Sequence, residues 1–207
     1  MRRVLLVPVF CIFGLVAASQ AAPAEKYTAL VMPSNVSLGM SRATVQPVRG
    51  NAKKLDLAVG SRNTNATVLT EIKADAVPSI CYQYHFIEDQ LRAVTQGILH
   101  GGRRDEQAVR SIHNALARDL VKKSDETILR LDEQMNQVLV NAELWRDEKS
   151  GAEVYFVDTT NELTVITFDP RCFSKRDFFM SPDELPQIAP ALEKARKTVE
   201  ESKKLKK

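Results

Sequence analysis

Residues 80–99 read ICYQYHFIEDQLRAVTQGIL, and this stretch decides the fold because two runs of β-forming residues flank a short polar turn. Tyr82, Tyr84 and Phe86 recur with a period of two, so their side chains lie on one face of a strand. The polar residues 88–90 separate this run from the next one. The pattern predicts a β-hairpin.

Downstream of the hairpin, residues 105–122 predict an amphipathic helix, because apolar residues recur at spacings of three, four and four. Residues 124–137 are compatible with either a helix or a strand. Their apolar positions extend a helical pattern, whereas the residues that follow favour a strand. The apolar positions of the predicted helix are Val109, Ile112, Leu116 and Leu120.

Three further β-like runs follow, and polar turns separate them. We expect strands over residues 138–146, 153–157 and 163–168, with turns at residues 149–151 and 159–161. Consecutive strands joined by short turns form an antiparallel meander. The hairpin and the meander together predict an antiparallel β-sheet.

Upstream of the hairpin, Ser41 is a good helix N-cap and predicts a short helix over residues 42–46. Pro47 is expected to end it, because proline has no backbone N–H to donate. Residues 67–72 form a first β-like run. The expected fold class is therefore α+β, with the sheet packed against one main amphipathic helix and a short N-terminal helix.

The first 21 residues predict a cleaved export signal. Residues 1–3 are basic at two positions, and residues 4–18 form an apolar run of 15 residues. Ser19 and Ala21 place small side chains at the −3 and −1 positions of a cut between Ala21 and Ala22. The run is shorter than the ~20 residues that a membrane-spanning helix needs. We expect a periplasmic or secreted protein with no transmembrane span after cleavage.

The remaining chain divides into three parts by composition. Residues 22–35 indicate an extended lead-in, residues 36–180 a single α+β domain, and residues 181–207 a charged, Lys-rich C-terminal helix or tail. Residues 194–207 carry seven Lys or Arg and two Glu, and the body before them is mildly acidic. The basic pI of the chain therefore comes from its tail. Nucleic-acid binding is not expected, because it requires a basic face on the folded body.

The basic tail has two interpretations. It contacts anionic lipid headgroups or an acidic partner, or it is an ordinary solvated tail. Cleavage of the leader leaves two cysteines, Cys81 and Cys172, which in an exported chain form a candidate disulfide. The alternative is two buried thiols that pack as small apolar side chains.

No pattern of catalytic, cofactor-binding or metal-binding residues emerges. Cys81 and His85 share a strand face but are ~13 Å apart at ~3.3 Å per residue, too far for a nucleophile and its base. The three histidines, which include His100 and His113, lack metal-ligand spacing. Residues 178–180 (Phe178, Phe179, Met180) are either an exposed partner patch or a cover over one edge or face of the sheet.

Two segments resemble a known family. Residues 38–42 read LGMSR, and residues 84–94 read YHFIEDQLRAV, with Gln90 where glycine is usual. These motifs are similar to the LGM-S/T opening and the Y-x-F…D-G-x-L-x-x-V hairpin of the β-lactamase-inhibitor-protein-like fold and the small outer-membrane assembly lipoproteins. The resemblance implies an exported α+β protein that binds other proteins, with no catalytic residues to carry over. This chain lacks a lipid-attachment cysteine after the leader.

Two hypotheses for function follow. The first is an exported, non-catalytic protein that binds an envelope or secreted protein through its sheet face or through residues 178–180. The second is an envelope hydrolase or thiol-redox protein that draws its nucleophile from Cys81, Cys172 or a serine. A low-pKa thiol beside a basic group would favour the second hypothesis. Neither cysteine has a clear local signal of this kind, so the sequence favours binding.

Overall fold

The fold is described from a computed structural model. The predicted leader with its cut at Ala21 and Ala22, nearly all of the lead-in and most of the C-terminal segment lie outside the described residues. The described residues are 32–33, 35–48, 53–54, 63, 65–73, 80–100, 104–131, 137–180, 186, 189–190, 193 and 197.

An antiparallel sheet of seven long strands and one two-residue strand forms the centre of the molecule, and it confirms the α+β class. The spatial order of the strands is β1-β2-β3-β4-β8-β7-β6-β5. The strands are β1 (Lys53–Lys54), β2 (Thr67–Lys73), β3 (Ile80–Ile87), β4 (Gln90–Leu99), β5 (Val121–Leu131), β6 (Gln137–Arg146), β7 (Glu153–Asp158) and β8 (Glu162–Phe168). The helices are α1 (Arg42–Val48), α2 (Glu106–Asp119) and α3 (Lys175–Phe178).

The predicted hairpin and meander are both confirmed. Strands β3 and β4 pair across the two-residue turn Glu88-Asp89, with one bulge between His85 and Phe86. Strands β5 to β8 pair in succession, and β8 then pairs with β4. The hairpin therefore joins the meander edge to edge, and a single sheet results.

Two local predictions need correction. Helix α2 ends at Asp119, because Leu120 adopts an extended backbone (φ −128°, ψ 163°), and the chain continues as β5 instead of as a longer helix. Helix α1 extends to Val48 with Pro47 inside it, whereas the sequence predicted an end before the proline. In such a short helix, Pro47 forgoes only one backbone bond, to the carbonyl of Ala43.

One face of the sheet, which carries Tyr84, Ile98 and Phe156, is covered by helices, and we call it the helix face. Helix α2 starts at Asp105, whose Oδ1 accepts hydrogen bonds from the backbone N–H groups of residues 107 and 108. Its apolar side packs on β4 and on β6 to β8, and α1 with the preceding segment covers β2 to β4. The predicted periodicity of α2 thus corresponds to a buried stripe: Ala108, Val109, Ile112 and Leu116.

The opposite face carries His85, Tyr155 and Phe168 and is covered by residues 172–180. We call this segment the aromatic lid and the surface beneath it the lid face. Its rings pack with buried residues of β4 to β8, and its only regular structure is the four-residue helix α3. At its far end, Met180 forms an antiparallel bridge with Leu129 of β5.

None of the helices within the described part of the chain is long and apolar enough to cross a membrane.

Candidate functional site

The three residues of the expected partner patch belong to the lid. Phe179 is only 5% exposed, and its ring meets that of Tyr155 edge-on at 5.1 Å. Phe178 is half-buried and stacks on Phe173 at 5.3 Å, while Met180 is held by its bridge to Leu129. This placement favours the second interpretation of residues 178–180, a cover over one face of the sheet.

The expected disulfide is absent, because Cys81 and Cys172 are not bridged in the structure. Cys81 lies opposite Gly97 of β4, which pairs in turn with Thr164 of β8. Cys172 lies in the turn after β8, beyond Phe168, whereas Cys81 is level with Thr164 near the start of that strand. The four residues from Thr164 to Phe168 span ~13 Å at ~3.3 Å per residue, whereas the Cα atoms of a disulfide lie within ~7 Å.

The three histidines occupy separate places. His85 is fully buried beneath the lid. The Nδ1 atom of His100 accepts a hydrogen bond from the backbone N–H of Asp105, before α2. The Nε2 atom of His113 on α2 lies 3.1 Å from the Glu143 carboxylate of β6. Among the residues that the structure describes, no group of three His, Cys, Asp or Glu side chains is placed to hold a metal ion.

The structure instead gathers charged and polar side chains around the turn between β3 and β4, and we call this group the hairpin-tip cluster. Glu88 and Asp89 both adopt the left-handed backbone region, with φ of 52° and 62°. Two successive positive φ values match a type I′ turn, for which Asn-Gly is the favoured pair. The cluster comprises Arg42, Glu88, Asp89, Gln90, Arg92, Asp169 and Arg171.

The N-terminal segment braces one side of the tip. The guanidinium of Arg42 lies 3.2 Å from the Asp89 carboxylate, and the Arg42 backbone N–H donates to the Asp89 carbonyl at 3.0 Å. Ser41 forms an antiparallel bridge with Gln90, and the N–H of Leu91 donates to the carbonyl of Met40 at 2.7 Å. The turn is therefore held through backbone bonds as well as side chains.

Asp169 braces the other side. It lies directly after β8 and is buried, and it accepts two hydrogen bonds from the Arg171 guanidinium at 2.9 and 2.8 Å. Arg92 donates to the same carboxylate at 3.1 Å and also contacts Gln90. The hydrogen bonds from Arg171 lower the pKa of Asp169, and the same bonds raise the pKa of Arg171. The carboxylate is therefore ionised at neutral pH and fixes both arginines.

The cluster is accessible while its anchors are fixed. The Arg171 side chain is 80% exposed, and those of Arg42 and Asp89 are 43% and 53% exposed. A constellation of fixed charges of both signs suits electrostatic recognition of another macromolecule. The carboxylate of Asp89 lies against Arg42, and that of Asp169 accepts hydrogen bonds from Arg92 and Arg171, so both are engaged by arginines.

Sequence reasoning identified residues 88–92 as part of a hairpin but did not predict the cluster. Arg42, Asp169 and Arg171 come from distant segments. The backbone of Arg42 binds the turn at Asp89, the backbone of Asp169 binds Arg92 of β4, and Arg171 follows Asp169. One local signal was available, since Glu-Asp occupies a two-residue turn where Asn-Gly is preferred.

Comparison with known proteins adds no relative: no family model, no curated protein and no solved structure matches this chain.

Proposed function

We propose that this protein is an exported, non-catalytic binding module, and that the hairpin-tip cluster contacts its partner, an envelope or secreted protein. The leader-like residues 1–21 support export. The motifs at residues 38–42 and 84–94 support binding, because the families they resemble act on other proteins. Both motifs contribute residues to the cluster.

The observation that carries the proposal is the backbone of Glu88 and Asp89. A non-glycine residue in the left-handed region costs of order 1 kcal/mol, and such outliers concentrate where function requires them. Here two consecutive acidic residues adopt that region at an exposed tip, and they are braced from both sides. A rigid, charged protrusion loses little conformational entropy when it binds a partner.

The alternative of an envelope hydrolase or thiol-redox protein receives no support from the placement of the cysteines. A redox pair needs two sulfurs within reach of each other, and Cys81 and Cys172 are separated along the sheet. Cys172 does follow Arg171, but that guanidinium is directed to Asp169.

The proposal is tested by affinity capture from the envelope fraction of the native host, with the tagged full chain as bait. We expect a reproducible partner, identified by mass spectrometry, whose recovery falls at least tenfold when Arg171 is changed to Ala. Recovery should also decrease with added salt, because exposed charges are screened. The same loss is expected for Glu88→Ala.

Arg118→Ala is the matched control. Arg118 is also an exposed arginine that binds a neighbouring carboxylate with two hydrogen bonds, to Asp119 in the last turn of α2. It should leave capture unchanged. A partner retained by both tip variants would contradict the assignment of the surface, and turnover of an ester or disulfide substrate that is lost in Cys81→Ala or Cys172→Ala would contradict the non-catalytic function.

A further inference from the structure

His85 is an unusual residue for the interior of the lid face. Its side chain is completely buried, and the rings of Phe173 and Phe178 contact it edge-on at 5.9 and 6.0 Å. Its Nε2 lies 3.2 Å from the hydroxyl of Thr95, while its Nδ1 is buried with no hydrogen-bond partner among the residues that the structure describes. An imidazole in this environment is held neutral, because burial disfavours its charged form.

The side chains around His85 confirm this reading of its charge. Its cross-strand neighbours are Val68 of β2 and Ala93 of β4, and the lid contributes phenylalanine rings. None of these groups titrates, and burial alone lowers the pKa of His85 from 6.5 to about 3. Any state in which the ring reaches water has an ordinary pKa near 6.5.

The charged groups of the lid lie away from the ring, at its anchor points. Lys175 contacts Glu126 of β5 at 2.7 Å, and Asp177 caps α3 through Ser174. Arg171 and Asp169 form the pair that precedes the lid. The other two histidines, His100 and His113, lie at or before α2, so His85 is the histidine under the lid.

The lid is attached to the sheet more weakly than the strands are to one another. Within the described part of the chain, its backbone pairs with the sheet at one bridge, between Met180 and Leu129. Asn63 donates to the Cys172 carbonyl at 3.2 Å, and Lys175 reaches the Thr127 carbonyl at 3.4 Å. Lifting the lid would expose His85 to water and leave the strand ladders intact.

We propose that the aromatic lid is an acid-released cover: protonation of His85 favours a state in which residues 172–180 lift from the sheet while the sheet and α2 remain folded. The released state exposes the apolar surface of Tyr155, Ile166 and Phe168. The direction of the pH dependence follows from the neutral charge of His85 in the closed form. Lid closure is favoured above pH 6.5 and weakens as the pH falls toward 3.

Hydrogen exchange of the full chain at pH 7 and pH 5 tests the proposal, with protection factors corrected for intrinsic rates. We expect the protection of amides in residues 172–180 to fall about 25-fold between these pH values, from the two pKa values of His85. Amides of α2 should keep their protection. The emission of Trp145, the only tryptophan and a buried residue of the helix face, should stay constant.

Two variants identify the titrating group. His85→Leu with Thr95→Val replaces both partners of the buried contact, and it should abolish the pH dependence. His85→Gln, which is neutral at both pH values, should do the same and serves if the double variant does not fold. His113→Gln is the control, because His113 is 41% exposed on α2, and it should behave as the unmodified protein does.

Three results would overturn the proposal. The first is lid protection that is the same at pH 7 and pH 5. The second is simultaneous loss of protection in α2 or a shift of Trp145 emission, which would mean global unfolding. The third is a pH dependence that persists in the folded His85 variants.

Discussion

The two faces of the sheet bury similar apolar clusters under very different covers. On the helix face, α2 supplies 14 residues with internal hydrogen bonds, an aspartate N-cap and an apolar stripe. On the lid face, the nine residues of the lid contain one turn of helix and are fixed by phenylalanine rings. The difference shows that burial alone does not determine how firmly a cover is held, because the helix satisfies its own backbone and the lid depends on side chains.

The largest expected effect compares the two covers directly. Ile112→Ala in α2, which truncates a fully buried side chain, should lower the free energy of unfolding by about 2–5 kcal/mol. Phe179→Ala in the lid removes a larger ring, yet the loss should be smaller, because it is limited by the free energy with which the lid closes. Urea unfolding followed by Trp145 fluorescence measures both. An equal or greater loss for Phe179→Ala would mean that the two covers fold as one cooperative unit.

The same difference explains what the sequence could predict. The hairpin, α2 and strands β6 to β8 follow local periodicities, so their positions were predicted to within a few residues. Strand β5 was left unresolved because the apolar positions of residues 124–137 extend the helical pattern of α2, whereas the residues after them favour a strand. Charged side chains are common on edge strands, where they oppose pairing with other chains.

The features that the sequence did not predict depend on long-range contacts. The aromatic content of residues 172–180 suggested either a patch or a cover, and only the position of β8 beside β4 and β7 determines that these rings meet the lid face. The hairpin-tip cluster depends in the same way on three separate segments. Local sequence periodicity predicts individual helices and strands, whereas a site formed by several segments can be predicted only when the strand order is known.

The helix face also buries one polar side chain, which should reduce the stability of the fold. Gln96 on β4 is 2% exposed, and its cross-strand neighbours are Tyr82 and Val165. Within the described part of the chain, neither polar atom of its amide has a hydrogen-bond partner. A buried polar group without partners costs about 1–3 kcal/mol.

Gln96→Leu, which has a similar volume and no polar atoms, should therefore raise the free energy of unfolding by about 1–3 kcal/mol. Urea unfolding by circular dichroism measures the change, and Gln107→Leu on the exposed side of α2 is the control, with an expected effect within ±0.5 kcal/mol. Destabilisation by Gln96→Leu would show that the amide has a partner that stabilises the folded state.

The hairpin tip lies outside both covers, and its backbone conformation lowers the free energy of unfolding. Glu88 and Asp89 each adopt a backbone conformation that Asn and Gly adopt more readily. The ion pair between Arg42 and Asp89 offsets little of this cost, because exposed ion pairs contribute about 0–1 kcal/mol of stability.

Glu88→Asn combined with Asp89→Gly should thus stabilise the fold by roughly 0.5–1 kcal/mol, the smallest of the three expected effects, because the turn then has the residues that its backbone favours. Thermal unfolding gives the change in Tm, and capture of the partner by the same variant gives the functional consequence. If the tip carboxylates bind the partner, this variant is more stable and no longer captures the partner. General damage to the fold would not produce that combination. A stabilised variant that still captures the partner would assign recognition to the arginines of the cluster, and a destabilised one would show that the ion pair with Arg42 outweighs the backbone strain.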